Sequence, residues 1–172
     1  MWIKLKPFLF AGAIILNVLL AFHIVTFDIN IWSPKYLVEP ALKKYVVSFN
    51  KECKGRGLKP NTELIKCVKF PGETDNDMFK FNEQQPYGDE WAGVALTNKN
   101  TGAKYVFLNP QTFYMSDETG REMLVYHELF HAFFNTPHQD NELLKPTLSD
   151  ADALYYLNNR KAVLDKVFSN VK

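Results

Sequence analysis

Cysteine is scarce in this chain of 172 residues, which holds only Cys53 and Cys67. A multi-bridge disulfide scaffold is therefore excluded, and the spacing fits no common zinc finger. An excess of one charge is missing too. The chain has 20 Lys and Arg against 19 Asp and Glu, for a net charge of +1. No basic tract stands out, which argues against nucleic acid as a partner. Repeats and low-complexity runs are absent, so nothing points to a solenoid or a disordered tail. Histidine is the most telling scarcity. Three of the four histidines, His127, His131 and His138, fall in one short segment.

That segment begins His127-Glu128-Leu129-Phe130-His131, an H-E-x-x-H pattern. From Met123 to Phe134 every other side chain except Tyr126 is apolar, which predicts a helix covered on most faces. Residues four apart lie on one face of a helix, so His127 and His131 are placed to hold one zinc ion. Glu128 beside them is the expected general base toward a zinc-activated water. Burying a carboxylate and two imidazoles is costly without partners, and a metal supplies them. The competing reading is a helix whose histidines bond to backbone. Ser116 is the expected cap, with Asp117 and Glu118 in the first turn. Asn135 is the expected end, since Asn tolerates the left-handed conformation, and Pro137 prevents continuation.

A catalytic zinc usually has three protein ligands and one open position. His138, just past the helix, is the first candidate for the third. Asp140, Glu142, Asp150 and Asp152 are its rivals. Glutamate followed by an Ala-Asp pair, as in gluzincins, does not occur in register. The run from His127 to His138 instead resembles the metzincins, and within them the matrixin-like members, whose motif is H-E-x-x-H-x-x-G-x-x-H. The resemblance implies zinc ligands at His127, His131 and His138, with Glu128 as base. Leu148 to Leu157 looks like the start of the matrixin C-terminal helix, and Leu143-Leu144-Lys145-Pro146 stands at the methionine turn. Two positions depart from the pattern. Asn135 replaces the glycine one residue late, which puts His138 seven positions after His131, and Leu144 replaces the methionine.

Residues Pro7 to Phe27 carry no charge, and as a helix they would span about 30 Å, the thickness of a bilayer core. Lys4 and Lys6 precede them, which favours an exported C-terminal domain. The expected organisation is a transmembrane anchor at 1–27 and a metallopeptidase-like domain at 28–172. A cleaved signal, giving a secreted protein, is the alternative. Export would permit a Cys53–Cys67 bridge, worth roughly 3 kcal/mol in the chain-entropy model, and a bridge is expected.

Within the domain, Tyr36 to Cys53 shows helical periodicity, with Pro40 in its first turn and Gly55 and Gly57 at its end. Leu64 to Phe70 alternates as a strand. Pro71 to Glu90 is polar and acidic and reads as a solvated loop, with calcium binding as the lesser reading. Trp91 to Thr97 and Ala103 to Asn109 read as strands joined by a hairpin at Asn98–Gly102. The expected class is α+β: a small twisted sheet packed on a central zinc-binding helix, plus a C-terminal helix. By the resemblance this layout is zincin-like, and an extended peptide or protein substrate joins the sheet edge above the metal. The expected function is a zinc-dependent metallopeptidase. A membrane-tethered zinc-binding module or inactive relative is the alternative, and a hydrolase of non-peptide amides is a third reading. Tyr155 or Tyr156 is a candidate donor to the oxyanion, with core packing as its competing role.

Overall fold

The computed structural model describes residues 36–60, 62–72, 75 and 91–171. The apolar segment 7–27 and nearly all of the acidic segment 73–90 lie outside the described residues, and so do the anchor and calcium expectations. Among the described residues no helix is long and apolar enough to cross a membrane.

The described chain has an α+β fold built from a small mixed sheet and helices. Four strands, β1 (Leu37–Val38), β2 (Ile65–Lys69), β3 (Gly93–Thr97) and β4 (Lys104–Leu108), lie in the order β1-β2-β4-β3. β1, β2 and β4 run parallel, and β3 is antiparallel to β4. The hairpin between β3 and β4 forms where the sequence predicts it. The Asn98 side chain accepts from the amides of Asn100 and Thr101, and Gly102 takes a φ of +70°, which glycine adopts at low cost. Four α-helices are described: α1 (Lys43–Gly55), α2 (Pro110–Met115), α3 (Glu118–Phe134) and α4 (Asp150–Ser169).

Three sequence expectations need correction. The first is the helix from Tyr36. Glu39 precedes Pro40, and a residue before proline is pushed into extended backbone. Leu37 and Val38 accordingly pair with β2 as a parallel edge strand, and helical winding begins only at Pro40 as a short 3-10 turn. The second is the disulfide. Both cysteines are buried and free. Cys53 packs in the main core, whereas Cys67 packs with Leu96 and Phe107 on another face of the sheet. The period-two alternation of β2, interrupted by an irregularity between Ile65 and Cys67, turns Cys67 away from α1. The third is the cap of α3. Asp117, not Ser116, accepts from the Gly120 amide. Ser116 ends α2, a short helix that its own Asn109 cap and Pro110 initiate.

α3 is the structural centre, with ten buried residues, and it packs on β3, β4 and the other three helices. Phe49 of α1 stacks edge-on against Tyr126, Phe130 and Phe133 of α3, with centroids 4.9, 5.0 and 5.6 Å away. The outer face of α3 is tied down by charge. Arg160 of α4 pairs with Glu122 of α3 and Glu52 of α1, each at 2.8 Å. Such half-buried paired carboxylates fix how the three helices meet. A Ser149–Asp152 capping box starts α4 where the sequence places its beginning.

Candidate metal centre

His127 and His131 stand one turn apart on the inner face of α3, with ring centroids 4.6 Å apart. Each ring is oriented by a backbone carbonyl on the chain that follows the helix. His127 Nδ1–H donates to the Leu143 carbonyl at 2.7 Å, and His131 Nδ1–H donates to the Thr136 carbonyl. A carbonyl oxygen only accepts, so both Nδ1 atoms carry the proton and both Nε2 atoms present lone pairs. Those two Nε2 atoms face each other at 3.0 Å. Two lone pairs so close, with no proton between them, repel unless a cation joins them. Zinc–imidazole bonds of about 2.1 Å suit one ion shared by two such nitrogens.

Burial reinforces this chemistry. It pulls His127 down to about 4, against a weaker opposing pull from the Leu143 carbonyl. Burial lowers His131 as well. Both rings are therefore neutral, ligand-ready imidazoles at physiological pH.

His138 is brought to the same place. α3 ends where Asn135 takes the left-handed conformation, φ 53° and ψ 31°, and its amide bonds back to the His131 carbonyl. The chain then doubles back, and the His138 ring lies 5.3 Å from His127 and 4.8 Å from His131. One ligand atom from each of the three histidines lies within 4.8 Å of the others. His127 is buried, His131 half-buried and His138 exposed, so the group opens to solvent on the His138 side.

The acidic rivals do not join this group. Asp152 is spent in the α4 capping box and in an ion pair with Lys145 at 2.5 Å. Tyr156 is buried and gives its hydroxyl to Glu122, while Tyr155 is exposed. The segment at the expected methionine turn is organised by Asn141, whose side chain accepts from the amides of Leu143 and Leu144 at 3.0 and 2.7 Å. Both leucines are fully buried, and the turn is what aims the Leu143 carbonyl at His127. Sequence reading overlooked Asn141, although an Asn two residues before a buried pair is a recognisable turn former.

Glu128 is 4 % exposed, and burial alone pushes its carboxyl up to about 8. Among the described residues no donor pairs with it. Its side chain lies against Gly93, the first residue of edge strand β3. A methyl group at Gly93 would lie 2.8 Å from Glu128 Cγ and Oε1. The structure thus keeps an acid without a partner among the described residues in contact with the sheet edge, on the helix that carries the histidines.

No family model, curated protein or solved structure matches this chain.

Proposed function

We propose that the chain is a zinc-dependent metallopeptidase with a zincin-like, metzincin-related site: His127, His131 and His138 hold the metal, and Glu128 is the general base. The observation that carries this reading is the pair of Nε2 lone pairs facing each other at 3.0 Å. Their Nδ1 protons are already committed to carbonyls. Nitrogen donors of this kind suit zinc.

When bound in such a site, zinc supplies Lewis acidity, which activates water near neutral pH and stabilises charge on a carbonyl oxygen. The protein's own groups do the rest. The three imidazoles bind the metal, and two of them, His127 and His131, keep their orientation through the Leu143 and Thr136 carbonyls. Glu128 takes a proton from the attacking water and delivers it to the leaving amine. Its contact with Gly93 sets that carboxyl beside β3, an edge strand of the sheet. An extended peptide joining β3 as an added strand would therefore pass next to the base, which favours a peptide or protein substrate over a small amide. Attachment to a membrane through residues 7–27, with the domain on the exported side, remains part of this proposal.

A closed structural site with no catalytic role is the competing reading. It calls for a fourth protein ligand and has no use for a base. Glu128 and the exposed flank of His138 both oppose it.

The deciding experiment has two stages. Metal analysis of the purified protein should find about one zinc per chain, and His131→Ala should lose it. Glu128→Gln should keep the zinc and lose nearly all cleavage of a peptide library. Unchanged cleavage by Glu128→Gln sinks the mechanism, and a folded, zinc-supplied protein without zinc sinks the site.

A further inference from the structure

The helix carrying His127 and His131 runs one residue longer than the motif it resembles, and the chain must still deliver His138 to the other two rings. The structure contains a device at the point where this is decided. Lys104, the first residue of β4, is 6 % exposed, a rare state for a lysine, and it has no carboxylate partner among the described residues. Its ammonium donates to the Ala132 carbonyl at 2.6 Å and to Asn135 Oδ1 at 2.5 Å. Ala132 belongs to the last turn of α3, where carbonyls lack helical partners. Asn135 is the left-handed residue that turns the chain out of the helix. One buried cation thus joins a strand end, a helix C-terminus and the side chain of the residue that sets the exit direction. The favourable sign of a cation at a helix C-terminus helps hold it there.

Beyond Asn135 come Thr136, whose carbonyl orients His131, and His138 itself. We infer that Lys104 and Asn135 form a positioning lock that fixes the exit from α3, so that His138 is presented as the third metal ligand. The inference rests on the metal-site reading above and gives Asn135 a role that a glycine could not fill. Glycine adopts the left-handed conformation more easily, but it has no side chain for Lys104 to hold. The lock contacts none of the three ligand atoms and acts only through the path of the chain.

The test is zinc affinity, measured by competition with a chromophoric chelator on the full chain. The wild type, Lys104→Met, Asn135→Gly, His138→Ala and the Lys104→Met/His138→Ala double variant are compared. Outer-layer partners of metal ligands typically change affinity roughly 10- to 100-fold. Losses in that range are expected for Lys104→Met and Asn135→Gly, with the fold retained by circular dichroism. Lys104→Met should cost much less when His138 is already absent, because the two changes share one path. Wild-type affinity in Asn135→Gly overturns the lock, and it does so even if Lys104→Met fails to fold. Equal losses from Lys104→Met with and without His138 overturn its action through the third ligand. A wild type that binds no zinc refutes the metal site itself, which is a separate outcome.

Discussion

Replacing Glu128 by Gln has a stability signature that needs no substrate. In the metal-free chain the carboxyl ionises at about 8, against an ordinary 4.5, because burial disfavours its charge. The unfolded chain ionises first as pH rises, so stability is fully present below about pH 4.5 and is lost progressively up to about pH 8. At pH 7 the loss is about 3.5 kcal/mol, from 2.5 pH units at about 1.4 kcal/mol each. His127 acts in the opposite sense, since its folded value is about 4 against 6.5. Its contribution is present above about pH 6.5 and is lost as pH falls towards 4. His131, which burial also lowers, acts in the same sense as His127, so the two histidines oppose Glu128 between roughly pH 4.5 and 6.5, and above that Glu128 dominates. Metal-free wild type should therefore lose about 2 kcal/mol between pH 6.5 and 8, or several degrees of Tm. Glu128→Gln has no ionisable group there and should show this fall no longer. Thermal unfolding of both chelator-treated proteins across pH 6–8.5 is the assay. Bound zinc stabilises an adjacent carboxylate, so the gap between the two proteins should shrink on metal loading. Parallel pH curves for the two metal-free proteins would refute the claim that burial holds the Glu128 carboxyl protonated.

Other consequences are open to direct measurement. Gly93→Ala places a methyl 2.8 Å from the Glu128 carboxyl and 2.9 Å from Leu108 Cδ2. It should cost roughly 1–3 kcal/mol of stability and depress kcat while zinc content stays at wild-type level. Loss of zinc instead would place the strain on the histidines. Cys53 and Cys67 should react as two free thiols in denaturant and stay unreactive in the native state, because burial raises both thiols, Cys53 to about 12. A Tm that falls on adding reductant would show a bridge after all.

Local signals carried the sequence reading well where one element depends on its own residues. Asn135 and Pro137 end α3, and Asn98 and Gly102 turn the hairpin, at the positions their backbone preferences dictate. The three histidines gather as their spacing and the helix end require. What stayed hidden depends on partners distant in sequence. Leu37 and Val38 follow a helical apolar pattern, yet Pro40 and an available edge on β2 draw them into the sheet. Cys67 reads as a partner for Cys53 until the β2 irregularity assigns it to another face. Lys104 looks like an ordinary polar strand residue, and only the docking of α3 on β4 gives it two acceptors. The same holds for Gly93, whose missing side chain matters only because Glu128 occupies the space. The short helix α2 went unread in the sequence, although Asn109-Pro110 is a cap followed by an initiating proline.

The two carbonyls that steer His127 and His131 have one more consequence. Both belong to the main chain, and every residue type brings the same oxygen. The loop from Thr136 to Ser149 can therefore change its side chains widely, provided its path is kept, without releasing either ring. What the loop must keep is its path, set by Asn141 and the buried Leu143 and Leu144, and His138 itself, while exposed positions such as Asp140, Pro146 and Thr147 can change and reshape what the opening admits.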